Sequence, residues 1–514
     1  MITADHHQVH QTEIHHQDQQ EEVIKLIMKF KKIILAAIIV IAAQSTYAQY
    51  LGDVLRFSQF QNSNTARFEA LGGTKSAIGG DLSSLYGNPA GLGMFSKSEF
   101  SFTPTLRLRN NDISLSNTSA TSSNLDLNNV GVVFNTKTYK TKDLDKGLIS
   151  LSFGIGYQKK GSYRNDFNYG LTTNKNGLGD FFAQNATKEN KSQANLAYQI
   201  NGAAYDSFLI NDRGINTTTY DPITSLTSDQ LQVVNRTGGN SSVDFSLGAN
   251  ISNQVFLGAT VGLSSFRYSS IEKTNEIGLF RQPGTTNNFD YNVDYTRNFD
   301  TNGSGINLKL GAIVRPSKEF RLGVFIESPT WYSVTDNYSE TLYNNLDPIK
   351  GTDSFLFEYN LRTPLRINGG LAYFFGNRGF ISADIGYEDF STINFSSSNS
   401  QTDIDTNRDI KSQYKNIINY NVGTEYKITD KFLLRAGFQS LGNPYKTLNN
   451  SDYTVNSYSA GFGYRFGTYY LDMAYVNSSN FSTYSNYVLT ANNQPTTNIN
   501  TKRNNVSLTF GVRF

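Results

Sequence analysis

The chain of 514 residues contains no cysteine, which excludes disulfides and thiolate metal sites. It has five histidines, His6, His7, His10, His15 and His16, all within the first 16 residues. Beyond them no nucleophile–histidine pair or histidine metal site can be built. Net charge is only +2, which gives no reason to expect nucleic acid. Mean hydropathy is −0.41, too polar for a bundle of membrane helices. The longest apolar run, Ile33 to Ala43, has 11 residues and is too short to span a bilayer. No glycine-rich loop has the G-x-x-x-x-G-K-Ser/Thr spacing of a phosphate site, and no carboxylate pair is specified by spacing. No enzyme activity and no cofactor are expected.

What is present is aromatic and glycine-rich: 35 Phe, 31 Tyr and 42 Gly. Met28-Lys29-Phe30-Lys31-Lys32, the apolar run and Thr46-Tyr47-Ala48 read together as a signal peptide over 28–48. Translation is expected to start at Met28, with the polar residues 1–27 lying upstream of the true start. The mature chain would then begin near Gln49, and the histidine tract would have no metal role.

From Phe100 onward the chain alternates with period 2. Phe100, Phe102, Leu106 and Leu108 alternate with Ser101, Thr103, Thr105, Arg107 and Arg109. Ile306, Leu308, Leu310, Ala312 and Val314 alternate with Asn307, Lys309 and Gly311. Such alternation sends the two sets to opposite faces of a strand. The pattern predicts fourteen strands near 98–109, 128–139, 147–160, 242–252, 254–273, 291–315, 319–332, 353–375, 379–395, 417–428, 431–441, 454–466, 469–484 and 501–514. Short connections such as Ser252-Asn253 and Thr429-Asp430, with a longer turn at 140–146, alternate with long ones: 110–127, 161–241, 274–290, 333–352, 396–416, 442–453 and 485–500. This is the habit of an all-β transmembrane antiparallel barrel in an outer membrane, its apolar face in lipid and its polar face lining the lumen. Such a barrel would occupy 98–514. Pro104, Pro329 and Pro364 mark bulges, kinks or strand extensions above the lipid. Within 161–241, the stretches Asp180 to Ile200 and Ser225 to Asn235 look helical, as an exposed landing surface or as a lid.

Ahead of the barrel lies a glycine-dense stretch, Asn64 to Phe95, which reads as compact turns. It contains Gly72, Gly73 and the run Asn88, Pro89, Ala90, Gly91, Leu92. With Arg67, Ala70 and Leu71 before the glycine pair, it resembles the hatch of the FadL/TodX (OMPP1) family of outer-membrane transport proteins. The chain departs from the family's entry motif in carrying Leu71 where Met is usual. The resemblance implies a barrel plugged by an N-terminal hatch, here residues 49–97, and uptake of hydrophobic compounds such as long-chain fatty acids. It implies a location in the cell outer membrane, amid outer-membrane lipid, with a hydrophobic small molecule as partner and a monomeric state. The C-terminal Phe514 resembles the signal read by the barrel assembly machinery. A rival within the same family is an outer-membrane component of a protein secretion system; a general diffusion porin is a third reading, against which the hatch argues.

A fatty-acid-like cargo needs a cation for its carboxylate. By parity the inward set includes Arg107, Arg109, Lys309, Arg321, Glu327, Arg366, Asp384, Glu388, Glu425, Arg435, Arg465, Asp472 and Arg513. Lys309, Arg366 and Arg435 lie mid-strand and are the candidate substrate-binding cations. The alternative is that inward charges pair with one another. The glycine density of residues 72–93 suggests a plug with few side chains locking it.

Overall fold

A computed structural model describes residues 47–59, 64–138, 146–174, 176–196, 200–214, 217–223, 227–281, 286–345, 350–446, 452–491 and 493–514. The expected upstream segment 1–27, the expected signal peptide up to residue 46 and most of the turn at 140–146 lie outside these residues. A helix, Tyr47–Ser58, opens the described chain. Residues 53–514 form one compact unit.

Its strands are β1 Glu99–Ile113, β2 Thr118–Lys137, β3 Leu148–Ser162, β4 Asn165–Asn174, β5 Ile210–Asp212, β6 Tyr220–Pro222, β7 Thr227–Ile251, β8 Val255–Arg281, β9 Asn288–Val314, β10 Phe320–Glu327, β11 Trp331–Asn344, β12 Lys350–Arg362, β13 Arg366–Phe374, β14 Gly379–Asp389, β15 Asn394–Ser397, β16 Asn416–Lys427, β17 Phe432–Leu441, β18 Val455–Phe466, β19 Tyr469–Ser485 and β20 Thr496–Arg513. Fourteen close an antiparallel ring in the order β1, β2, β3, β7, β8, β9, β10, β13, β14, β16, β17, β18, β19, β20 and back to β1. Closure removes the unpaired edges that lipid would not tolerate.

Four wall strands are interrupted partway up. β3 continues as β4, β10 as β11, β12 as β13 and β14 as β15. Pro329 and Pro364 fall in two of these interruptions, where proline removes a ladder donor. The wall is still stitched there: Thr363 N donates to Thr330 O at 3.1 Å, and Thr330 N to Thr363 Oγ1 at 2.8 Å. Pro104 sits at the register shift between β1 and β2. All three prolines sit at local irregularities of the wall.

The outward face is a broad apolar belt. Leu257, Leu308, Leu310, Leu322 and Ile326 are each 45–65% exposed. An apolar surface of this extent on a soluble protein would aggregate. The belt ends abruptly. One outward row across neighbouring strands runs Leu263, Ile306, Trp331, Arg362, Asn394; the next runs Ser265, Ser304, Ser333, Asn360, Ser396. The chain's single Trp lies on that boundary, where amphipathic rings favour the lipid–water interface.

Above the belt the strands run on. Residues 110–127, 274–290 and 333–352, read from sequence as loops, are largely strand. So is Ser225 to Asn235, expected to be helical: from Thr227 it belongs to β7. Outside lipid neither face need be apolar, so the alternation that marks a strand fades. Within the loop 161–241 the described residues do form helices, Leu178–Glu189, Gln193–Leu196 and Ile200–Asp206. Their apolar sides are buried against inward-facing Tyr291, Val293 and Tyr295 of β9. They pack inside the tall end of the wall.

Candidate functional site

Residues 64–95 fill the short-turn end of the lumen. The helix Ala66–Ala70 is followed by Gly72 and Gly73 at φ 65° and 77°, left-handed values that suit glycine. Two short 3-10 turns follow, Leu82–Leu85 and Pro89–Met94. Asp81 caps the first by accepting from Ser83 N at 2.8 Å, and Asn88 the second from Ala90 N at 3.1 Å. The motif residues sit against the wall. Asn88 Nδ2 donates to Ser76 O at 2.6 Å and to wall carbonyls of Ala312 and Val324 at 3.3 Å. A Cβ added at Gly323 would lie 1.9 Å from Ser76 O, and one at Gly437 2.1 Å from Gly72 N. Glycines on the inner face of the wall thus make dents that seat the hatch backbone.

The hatch is firmly held, contrary to the loosely locked plug that its glycine density suggests. Asp384 accepts from the backbone N of Lys75 and Ser76 at 2.7 and 2.9 Å. Arg67 pairs with Glu425 at 2.9 Å. Ala66 N donates to Thr509 Oγ1 at 2.7 Å. Leu71, Leu82, Leu85 and Leu92 are fully buried. Glu69 accepts from Asn128 Nδ2 at 2.7 Å and from the Ser507 hydroxyl. Burial pushes its carboxyl up to about 7, against the opposing pull of these bonds and of Arg107.

The three candidate cations each meet carboxylates. Lys309, 1% exposed, lies 3.5 Å from Asp244 and donates to Tyr86 O at 3.2 Å. Arg366 meets Glu388 at 2.9 Å and Glu327 at 3.7 Å. Arg435 meets Glu425 at 2.7 Å and Asp472 at 2.8 Å. The structure does not bring the three together into one site. Each ties wall strands to one another or to the hatch, so of the two readings left open by the sequence these residues follow the second.

Above the hatch the lumen is aromatic. Phe57 stacks on Phe266 with centroids 4.1 Å apart and meets Tyr163 and Tyr268 edge-on. Arg56 lies over the Tyr268 ring at 4.2 Å, and Arg366 donates to Ser58 O at 2.6 Å. These side chains make an aromatic slot that the Phe57 ring fills. Phe57 lies ahead of the strands and belongs to no periodic pattern, so nothing in the alternation marks it.

The wall beside this slot is incomplete. β2 pairs with β3 only as far as Asn129 with Gln158. Above that point residues 118–127 of β2 pair with β1 alone, and β4 pairs with β7 alone. The cause is a bulge between Lys159 and Gly161, where Lys160, Gly161 and Ser162 are buried in succession and the strand turns inward. Side chains bridge the break: Asp126 meets Lys159 at 2.5 Å and Arg107 at 3.1 Å, and Asn111 Nδ2 donates to Asn165 Oδ1 at 2.9 Å. Sequence reasoning missed this latch, since Asp126 falls in the stretch 110–127, read as a loop, where a charge looks like ordinary loop polarity.

A closed fourteen-stranded barrel with a glycine-seated hatch invites comparison with known proteins. The family model described as outer membrane protein transport protein (OMPP1/FadL/TodX) matches residues 214–514. No curated protein matches the chain closely enough to count as a relative. The crystal structure of a Pseudomonas aeruginosa FadL homologue is similar at TM-score 0.56 and 13% identity, covering 89% of this chain and 100% of its own. The Pseudomonas putida toluene transporter TodX is similar at TM-score 0.51 and 13% identity, with the same coverage. At these identities the structural likeness speaks for the fold, while the family match spans more than half of the chain. The chain therefore belongs to the OMPP1/FadL/TodX family of outer membrane transport proteins.

Proposed function

We propose that this barrel takes up hydrophobic compounds, long-chain fatty acids among them, across the outer membrane. The observation that carries the reading is the missing ladder between β2 and β3/β4, which lies beside the aromatic slot filled by Phe57, above the hatch. A water-filled pore needs an open axial path, and here residues 64–95 are clamped across it. A greasy cargo has a shorter way out through the wall, into the lipid it prefers.

The steps follow from the geometry. The lid of residues 178–206 parts and admits the cargo from outside. The cargo displaces the Phe57 ring from its stack on Phe266 and takes the aromatic slot. It then leaves past Asp126 and Lys159, whose link is made of side chains and can open without breaking a ladder bond. The hatch stays in place and keeps the periplasm sealed.

The test uses the absence of cysteine from the chain. Asp126→Cys and Lys159→Cys in one protein, joined by a short bis-maleimide, should stop uptake of a labelled long-chain fatty acid into cells. Each single variant treated the same way should retain uptake. Undiminished uptake in the bridged protein would overturn lateral exit. Co-purification with secretion subunits, in place of lumenal lipid, would favour the secretion reading instead.

A further inference from the structure

Arg109 of β1 and Arg503 of β20 stand directly opposite each other in the ladder. Both belong to the inward-facing set, flanked along their strands by buried Asn111, Thr501 and Ser507. Cross-strand neighbours have Cβ atoms about 5 Å apart, and like charges so placed are destabilising. Natural sheets normally neutralise such a pair. Here neither guanidinium makes an ion pair or hydrogen bond among the described residues, and Arg503 Nε is buried without a partner. The neighbouring carboxylates are already engaged: Asp126 by Arg107 and Lys159, Asp166 by Arg164. On either side the row continues with small side chains, Ser122 on β2 and Ser478 on β19.

The position is equally specific. Arg109 pairs across the ladder with Ser122, within the part of β2 that has no partner on its other side. The two arginines therefore sit on the inner lip of the wall break. On the outer side of the same stretch Leu125 and Leu127 are exposed, at 73% and 42%. An anionic group at the arginines would have lipid-facing apolar surface within the reach of an alkyl chain.

We propose that Arg109 and Arg503 form an oxyanion site that holds the head group of an amphiphilic cargo, a carboxylate or sulfonate, while its tail enters the bilayer through the break. The inference rests on the lateral-transport reading above and adds to it the residues that hold the cargo's charged end. Two guanidiniums side by side present a fork of donors suited to one planar oxyanion. The bound anion supplies the missing countercharge, so the pair is destabilising only while the site is empty.

The test is made on the full protein in nanodiscs of zwitterionic lipid, with dodecanoate, dodecyl sulfonate, dodecanol and inorganic sulfate as probes. Dodecanoate and the sulfonate should bind at least about tenfold more tightly than dodecanol, as expected for a charge-assisted contact. Arg503→Gln and, separately, Arg109→Gln should bring dodecanoate down to the level of dodecanol and leave dodecanol unchanged. Arg503→Lys should restore part of the difference. Ligand-free Arg503→Gln should unfold at a higher temperature than the parent, the opposite of what a purely structural arginine would give. Equal binding of dodecanoate and dodecanol by the parent, or variants that still discriminate, would overturn the oxyanion site while leaving hydrophobic transport intact. Sulfate binding as tightly as dodecanoate would overturn the amphiphile in favour of a small inorganic anion. Failure of every alkyl probe to bind would bring down the transport reading and the site together.

Discussion

Asp126 and Lys159 join β2 to β3 through their side chains, 2.5 Å apart, just beyond the last backbone pair between those strands. The wall there is held by charge instead of by backbone amides. Replacing Asp126 by Ala leaves Lys159 and Arg107 without their shared carboxylate, in a partly buried site. The loss should cost on the order of 1–3 kcal/mol locally. It should appear as faster amide exchange in residues 118–127 with little change in the remaining strands. Unaltered exchange there would show that the latch does not hold the break.

Gly323 receives the carbonyl of Ser76, and a Cβ at that position would lie 1.9 Å from it. Gly323→Val should unseat the hatch while the barrel, paired through β9 and β13, still closes. Trypsin would then cleave after Arg67 and Lys75 in the variant and spare them in the parent. A variant as resistant as the parent would mean that the wall strand yields instead of the hatch.

The Glu69 carboxyl is raised from its ordinary value of 4.5 to about 7, so the docked hatch favours its protonated form. Docking is unweakened below about pH 4.5, weakens as the pH rises toward 7, and is level above that. The full swing is on the order of 3 kcal/mol. Hatch peptides should therefore exchange or be cut more readily at pH 8 than at pH 5. Glu69→Gln, which keeps an acceptor and carries no charge, should flatten this dependence. A dependence that survives the substitution would assign it to another group.

Phe57 is fully buried against Phe266. Phe57→Ala should cost about 3–5 kcal/mol of local packing and leave a vacant aromatic slot. A fluorescent apolar probe should bind the variant more tightly than the parent, because no ring has to be displaced first. Weaker binding would show that Phe57 forms part of the slot instead of occupying it.

The sequence by itself determined the barrel. Lipid on one side and lumen on the other force alternate residues to differ, so strand number, facing and the short-turn end were all legible from Phe100 onward. The hatch was legible too, because Gly72, Gly73 and Asn88 to Gly91 answer to backbone geometry, a local property. The upper strands were not, since above the outward row of Leu263, Ile306 and Trp331 no solvent contrast imposes a period. Tertiary structure alone decided the partners of the inward charges. Lys309, Arg366 and Arg435 find carboxylates on other strands or beside the hatch, whereas Arg109 and Arg503, opposite each other in the ladder, form no ion pair among the described residues. It also decided where the wall stops being a sheet, because a bulge at Lys159 to Gly161 matters only through the strand it turns away from.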